Sequence, residues 1–289
     1  MDRVDVAIIG SGPAGVSAAV NCKIRNKSMV LFGSKTLSAK IAKAELINNY
    51  PGIIGVTGAE YNRLLLNQIN HLEIEIIPQK ITGIYPMGNY FAIMTPDNQY
   101  EACSVILATG VDVKKAIKGE REFLGRGVSY CATCDGNLYK NKTIAVVSED
   151  KKMEEELEFL ADIAKDIYFF PQYKDYSSKF ENVHICNGSI MEICGEDVVK
   201  NFIASNGDNL PVDGVFFLKN SVSADILLPG LKMDKGHIVV NRDMSTSVPG
   251  CFAAGDCTGT PYQIAKAVGE GNIALHSAVK YLAEKKISS

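Results

Sequence analysis

Cys131 and Cys134 are separated by two residues, in the run Cys131-Ala132-Thr133-Cys134-Asp135-Gly136. Such a pair can close a small disulfide ring. At this spacing one thiolate can lie well below its free pKa, which suits electron shuttling better than stapling a fold. Asp135 follows at once, and a carboxyl there can give a proton to a leaving thiolate or take one from it. Half of a zinc site and a structural cross-link are the competing readings. Zinc needs a second ligand pair, and Cys22, Cys103, Cys186, Cys194, Cys251 and Cys257 form no second C-x-x-C. Cross-linking a two-residue loop constrains the unfolded chain little. The expectation is a redox-active dithiol.

The elements that must position such a pair begin at the amino terminus. Residues 5–9, Asp-Val-Ala-Ile-Ile, read as a buried strand, followed by Gly10-Ser11-Gly12-Pro13-Ala14-Gly15 and a helical run from Val16 to Cys22. This is a G-x-G-x-x-G turn between strand and helix. The first glycine makes the turn, the second lets a pyrophosphate approach the backbone, and the third lets helix and strand pack closely. The N–H groups that open the helix then bind phosphate. The next strand, Ser28–Phe32, ends in Gly33-Ser34 with no acid to hold a ribose. The adenosine end of a dinucleotide therefore falls to backbone or to Ser34. Two further segments have the same flavour: Val105-Ile106-Leu107 running into Ala108-Thr109-Gly110, and, much later, Val248 to Gly255-Asp256.

Between them, a second copy of the unit is discernible. Thr143–Val147 reads as a strand, Glu154–Ala164 as an amphipathic helix and Asp166–Phe170 as the next strand. The turn that should carry glycines is Ser148-Glu149-Asp150-Lys151-Lys152-Met153. Laid on the first unit, Gly10 becomes Ser148, Gly12 becomes Asp150 and Gly15 becomes Met153. Ser and Asp do not adopt positive φ cheaply. Met153 would hold the helix off the strand. Glu149 and Asp150 put negative charge where a pyrophosphate would sit, and two like charges ~5 Å apart repel by about 3 kcal/mol at an effective dielectric near 20. The same acids would stabilise the helix N-terminus in place of a bound anion. An NADP phosphate is usually gripped by arginine, and residues 127–241 contain none.

Bulk properties set the frame. The 289 residues suggest about two domains, and 46% apolar with 22% charged content is ordinary for a globular protein. No apolar run reaches the roughly 18 residues of a membrane span, and Met1–Asp5 leads straight into a strand rather than a signal peptide. A reducing, cytoplasmic setting is expected, with most thiols free. The net charge is −3, unevenly spread. Residues 21–43 hold Lys23, Arg25, Lys27, Lys35, Lys40 and Lys43 and no acids; residues 112–142 hold seven bases and four acids. A solvated face is the default reading of such runs, but a basic patch on an acidic protein would also steer an acidic partner. Nucleic acid is not expected, since the whole chain is acidic and its aromatics are not interleaved with the bases. His71, His184, His237 and His276 lie outside any catalytic spacing, and Cys257 reads as inert packing.

The order of these motifs resembles the flavoprotein disulfide reductases, and among them the low-molecular-weight thioredoxin reductases. The resemblance rests on Gly10 to Gly15, Asn49-Tyr50-Pro51-Gly52, Ala108-Thr109-Gly110, Gly125-Arg126-Gly127-Val128-Ser129, Cys131 to Gly136, Gly255-Asp256 and Gln263-Ile264-Ala265, and it covers nearly the whole chain. The eroded second turn is most similar to the ferredoxin-dependent flavin thioredoxin reductases; a nucleotide-independent branch with no assigned donor is also similar.

The resemblance implies an α/β fold of two Rossmann-like nucleotide-binding domains, three-layer ββα, the second inserted into the first. The FAD-binding domain would comprise 1–112 plus 241–289, and 113–240 would be the inserted dithiol domain. FAD would be lined by Gly10, Ser11, Gly12, Pro13, Ala14, Gly15, Phe32, Gly33, Ser34, Lys40, Asn49, Ile81, Ala108, Thr109, Gly110, Gly255, Asp256, Gln263, Ile264 and Ala265. Lys40-Ile41 stands where relatives commonly have Gln-Leu, and no NADPH residues carry over onto Ser148-Glu149-Asp150. Cys134 would face the flavin, Cys131 would attack the partner disulfide and Asp135 would serve as acid–base group. Ferredoxin would be the electron donor, thioredoxin the acceptor, and the enzyme a homodimer. The dithiol cannot lie against the flavin and also in a partner's groove, so the inserted domain would swing about crossings near Asp112–Lys115 and Asn241–Met244. Two alternatives stand beside this reading: an NAD(P)H disulfide reductase with an aberrant cofactor loop, and a flavin-holding redox sensor without turnover.

Overall fold

The computed structural model describes residues 3–111, 117–174, 176, 179–219 and 223–288. The chain divides into two compact units, Met1–Asp112 with Ser223–Ser289, and Val113–Val222.

The first unit opens with β1 (Val4–Ile9), α1 (Pro13–Ile24), β2 (Met29–Phe32), α2 (Ala39–Ala42), α3 (Gly58–His71), β3 (Ile76–Ile77), β4 (Gly83–Pro86), β5 (Phe91–Met94) and β6 (Gln99–Leu107). The second unit holds β7 (Val128–Ser129), α4 (Ala132–Asp135), β8 (Thr143–Ser148), α5 (Glu154–Ile163), β9 (Asp166–Pro171), β10 (Val183–Ile185), β11 (Ile190–Gly195), β12 (Val199–Ala204), β13 (Asn209–Pro211) and β14 (Gly214–Leu218). The chain then completes the first unit with α6 (Ala224–Leu227), β15 (Met233–Asp234), β16 (His237–Ile238), β17 (Cys251–Ala253) and α7 (Ile264–Ser288).

In the first unit the sheet order is β3-β2-β1-β6-β5-β4. β6 is long enough to take two partners on one edge: its first half pairs antiparallel with β5, its last three residues parallel with β17. Parallel β2, β1, β6 and β17 thus end side by side, sealed by Gly10 N–H to Phe32 O, Ala108 N–H to Ile9 O and Ala254 N–H to Leu107 O. Three motifs distant in sequence therefore meet at one sheet edge. Val6, Ile8, Leu31 and Ile106 form the core with the small faces of α1 and α7. Their continuous apolar runs suit strands covered on both faces. Small residues let the helices approach closely: a Cβ on Gly271 of α7 would lie 2.1 Å from Ala14 O of α1.

The second unit is a five-stranded parallel sheet, β10-β9-β8-β14-β7, with a three-stranded antiparallel sheet, β11-β12-β13. β9 shows the layering. Ile167 and Phe169 pack with Leu157 and Leu160 of α5, while the alternate residues Tyr168 and Phe170 stack on Phe202 of β12. Side chains alternate across a strand, so helix and small sheet cover opposite faces, the ββα order expected.

Two expectations need correction. The return crossing falls at 222/223, not 240/241, because residues 224–240 bury Leu227, Leu228, Leu231 and Ile238 and tie Lys232 N–H to Ser247 Oγ. Asn241–Met244 is accordingly a turn inside the first unit, with Met244 buried and its carbonyl accepting Ala253 N–H; the other hinge, Asp112–Lys115, lies outside the described residues. The second correction concerns the basic run. Lys23, Arg25 and Lys27 end α1 and lead into β2, whereas Lys35, Lys40 and Lys43 follow β2. They sit at opposite ends of the sheet and do not make one patch.

A buried ion pair anchors the second unit. Lys219 Nζ lies 2.7 Å from Glu120 Oε1, with side chains 10% and 2% exposed. Glu120 also accepts from Tyr130 Oη at 2.5 Å and from Ile117 N–H at 2.7 Å. Every polar atom is paired, which is what makes such burial tolerable. Glu120→Gln strands the Lys219 ammonium, and denaturant unfolding should show a loss of about 3–5 kcal/mol. Glu120→Leu combined with Lys219→Met should recover most of that loss.

Candidate active site

The turn after β1 is built for a ligand. Gly10 has φ +118°, and a Cβ there would stand 2.2 Å from Ala108 O; a Cβ on Gly15 would stand 1.7 Å from Gly10 O. Those two glycines are needed for packing. Gly12 differs: nothing lies within 4 Å of its would-be Cβ, so the space above it is open. Gly12 is the N-cap of α1, without a side-chain cap, with Pro13 at the first position and no acid in the first turn. The N–H groups of Ala14 and Gly15 open a helix that no side chain neutralises, the arrangement that takes an anion.

The other expected residues gather at this edge unevenly. Ser11 is buried and its Oγ donates to Ser34 O at 2.9 Å, drawing the end of β2 against the turn. A Cβ on Gly33 would strike Ser11 N at 2.6 Å. Phe32 is fully buried against Tyr100, and the Ser34 hydroxyl is engaged with Thr36 Oγ1 at 2.8 Å. Gly255 meets α1 directly, its would-be Cβ 3.0 Å from Ala14 Cβ. Lys40 Nζ pairs with Asp256 Oδ2 at 2.7 Å, and Asn49 Nδ2 donates to Gln263 Oε1 at 2.6 Å. Ile264 and Ala265 open α7. Thr109 follows the end of β6, where Leu107 O accepts the Cys257 thiol at 3.4 Å, and Gly110 has φ +72° with open space around it. Ile81 is buried in the segment before β4, and nothing ties it to the turn.

Two residues that hold the site have no motif. Lys266 Nζ donates to Gly255 O (2.7 Å), Gly259 O (2.8 Å) and Thr258 Oγ1 (2.8 Å), and pairs with Glu270 Oε2 at 3.1 Å. Glu270 Oε2 in turn accepts Gly255 N–H at 2.8 Å. One i,i+4 pair on α7 thereby clamps both ends of the turn that presents Asp256. Their spacing on the helix was the available signal, but it also describes any surface pair.

In the second unit Cys131 and Cys134 are joined as a disulfide, with Cα atoms 5.3 Å apart. Cys131 is the N-cap of α4, and its Sγ accepts Cys134 N–H at 3.2 Å. Cys131 is 8% exposed, whereas Cys134 is exposed. Asp135 Oδ2 accepts from Ser129 Oγ at 2.7 Å. Three of the other thiols are poorly suited to exchange: burial pushes Cys22 and Cys251 up to about 12 and Cys257 up to about 11.

The turn after β8 has been rebuilt rather than strained. Ser148 is buried and its Oγ donates to Asp150 O at 3.2 Å; residues 151–153 form a 3₁₀ turn. Neither Ser148 nor Asp150 is among the positive-φ residues. α5 begins only at Glu154, and the acids of its first turn are Glu154, Glu155 and Glu156, not Glu149 and Asp150 as expected from sequence. Tyr173 closes over this end. Its hydroxyl lies 3.4 Å from Glu154 Oε1; burial first, then the Glu154 charge, pushes its phenol up to about 12. The first turn of α5 thus carries three glutamates, with Tyr173 against Glu154, where the first turn of α1 carries no acid.

Comparison with known proteins decides the family. The model of the pyridine nucleotide-disulphide oxidoreductases matches residues 4–147 and 172–271. This chain belongs to that family. The match breaks off at Val147 and resumes at Gln172, omitting the rebuilt turn and α5. The chain is 33% identical to the thioredoxin reductase of Treponema pallidum (strain Nichols), over 96% of this chain and 97% of that one. Among solved structures it is similar to a ferredoxin-flavin thioredoxin reductase from Clostridium acetobutylicum, at 48% identity and TM-score 0.89, covering 99% and 100% of the two chains. It also resembles a thioredoxin reductase from Gloeobacter violaceus, at 28% identity and TM-score 0.77, covering 98% and 95%.

This member of the family is therefore a thioredoxin reductase-type flavoprotein disulfide reductase with FAD as cofactor. The first unit fits that group: open space over Gly12, uncapped N–H groups on α1 and a clamped Gly255-Asp256 turn. The reductase should lose flavin when the clamp is cut. Each lost charge-assisted bond is worth about 1.5–3 kcal/mol. Lys266→Met or Glu270→Gln should weaken FAD binding roughly 10- to 100-fold in a fluorescence titration. Lys23→Met, at the far end of α1, should leave it unchanged.

Proposed function

We propose that this enzyme takes electrons from ferredoxin, passes them through FAD to Cys131–Cys134 and reduces thioredoxin without NADPH. The observation that carries the reading is the turn after β8, where Ser148, the first-turn glutamates of α5 and Tyr173 take the place of a nucleotide phosphate. The absence of arginine from 127 to 241 and the likeness to a ferredoxin-flavin thioredoxin reductase support it. The reading includes a cytoplasmic homodimer.

FAD, when bound, accepts electrons singly and hands them on in pairs, the conversion a one-electron donor requires. The chain's residues divide the remaining work. The Ala14 and Gly15 N–H groups would hold the pyrophosphate of FAD, and Asp256, fixed by Lys40 and by the Lys266–Glu270 clamp, would contact the cofactor beside them. Phe32, Gly33, Ser34, Asn49, Ala108, Thr109, Gly110, Gln263, Ile264 and Ala265 would line the rest. Cys134 would be the thiol that receives electrons from FAD. Cys131 attacks thioredoxin; because it is buried in the disulfide form, its thiolate must be uncovered before attack. Asp135 moves the proton. An acidic donor suits the exposed Lys35 and Lys43 that follow β2 at the flavin end of the sheet.

Anaerobic absorbance titration tests the reading. Reduced ferredoxin should bleach the flavin and thioredoxin should restore it, while NADPH and NADH leave the spectrum unchanged over the same minutes. Rapid bleaching by NADPH alone would falsify it. Cys131→Ser should abolish thioredoxin turnover while still letting the flavin bleach; an unmodified protein that turns over no thioredoxin-like substrate would point to a sensor rather than a reductase.

A further inference from the structure

The two sulfurs of the dithiol are not equivalent. Cys131 Sγ faces two donors: the Cys134 N–H at 3.2 Å and the Thr133 hydroxyl, whose Oγ1 lies 3.5 Å away. A disulfide sulfur carries no proton, so both contacts are donated to it. Among the described residues nothing donates to Cys134 Sγ. Burial differs too, since Cys131 is buried and Cys134 exposed. Water therefore replaces a lost donor at Cys131 less readily.

Local structure fixes this asymmetry. Cys131 is the N-cap of α4, extended at φ −133° and ψ 104°, and Thr133 and Cys134 are the second and third residues of that helix. Ser129 Oγ pins the backbone of Cys131, accepting its N–H at 3.1 Å and lying 3.2 Å from its carbonyl oxygen. Ser129 is itself buried on β7, in register with Phe216 of β14. Threonine is β-branched, so its hydroxyl is held to few rotamers. The other polar groups around α4 are engaged elsewhere. Asp135 accepts from Ser129 at 2.7 Å, Tyr139 packs on Phe216 with Lys142 over its ring at 5.3 Å, and Tyr130 bonds Glu120 of the Glu120–Lys219 pair. α5 meets Gly136 with Phe159, Leu160 and Ile163.

We propose that Thr133 is a catalytic residue whose hydroxyl, with the Cys134 N–H, holds Cys131 Sγ as a thiolate. The proposal rests on the reading of Cys131 as the attacking thiol and holds whichever donor loads the flavin. The donors stand where charge develops when the disulfide is cut, so they favour Cys131 as the leaving sulfur. The Cys131–Cys134 bond takes an electron pair and a proton from anionic reduced FAD and breaks; Cys134 keeps the proton as a thiol and Cys131 carries the charge. The Cys131 thiolate then attacks a thioredoxin sulfur. The mixed disulfide forms, the thioredoxin S–S bond breaks and its other sulfur leaves with the electron pair. A hydrogen bond donated to the charged form favours that form, so loss of the hydroxyl raises the Cys131 pKa.

The experiment isolates Cys131. In FAD-loaded Cys134→Ser protein, alkylation of Cys131 by iodoacetamide, followed by peptide mass mapping, gives rate against pH from 5 to 10. Adding Thr133→Val removes the hydroxyl, and the midpoint should move up by about one pH unit. Well below the midpoint the thiolate fraction then falls roughly tenfold while the more basic sulfur becomes about threefold more nucleophilic. The rate should therefore drop about threefold at acid pH and rise about threefold on the alkaline plateau, so that the two profiles cross. Adding Thr133→Ser instead, which keeps the hydroxyl, should reproduce the parent profile. Flavin absorbance and near-UV circular dichroism check that each variant is folded. A Thr133→Val profile that overlays its parent, or is scaled by one factor at every pH, overturns the Thr133 proposal alone; a Thr133→Ser profile shifted like Thr133→Val also overturns it. The reading beneath is checked separately: Cys134→Ser, reduced and mixed with oxidised thioredoxin, should form a mixed disulfide through Cys131. If it forms none, the assignment of Cys131 as the attacking thiol fails and the proposal with it.

Discussion

The N–H groups that open a helix after a central strand need a negative partner, and this chain supplies that partner in two ways. After β1, among the described residues, α1 has no side-chain cap, no acid in its first turn and nothing within 4 Å of a Cβ built on Gly12. The site therefore depends on a ligand. After β8 the protein supplies everything: Glu154, Glu155 and Glu156 in the first turn of α5 and Tyr173 bonded to Glu154. That helix end has no need of a ligand. The two units share a strand–turn–helix plan, yet their charge arrangements at the phosphate position are opposite. Carboxylates already at a helix terminus repel a further anion there, so the two ends differ in what they would attract.

The rest of each unit preserves this difference. In the first, β17 borrows the free edge of β6, which places the Gly255-Asp256 turn beside the Gly10–Gly15 turn, and the Lys266–Glu270 pair keeps it there. In the second, β7 and β14 carry Ser129 next to the dithiol, and the Glu120–Lys219 pair secures Tyr130, the residue before Cys131. The flavin end is held by an ion pair across one helical turn; the dithiol end by hydrogen bonds to buried side chains.

Short, local features were legible in the sequence. The glycine turn and the C-x-x-C-D run lie within six residues each, and the conformations they require leave a compositional trace. The rebuilt second turn could be recognised as broken, but not how it was refilled, because Tyr173 approaches Glu154 from beyond β9. The carboxylates credited with capping were Glu149 and Asp150; the 3₁₀ turn at 151–153 moves that role to Glu154–Glu156. Glu120 and Lys219 are 99 residues apart, so no spacing rule connects them. The return crossing was misplaced because Leu227, Leu228 and Leu231 look like core of either unit until their packing is known. The basic run at 21–43 looked continuous only because β2, which carries the chain from one end of the sheet to the other, is four residues long.

The opposed helix ends carry the whole account, and nucleotide binding probes them without reference to turnover. Calorimetric titration of the FAD-loaded protein with NADPH, paired with a crystal grown in its presence, measures this directly. No saturable binding at millimolar nucleotide, with Tyr173 still over Glu154, is the expected result. A micromolar Kd with the pyrophosphate seated above Ser148–Met153 would contradict it.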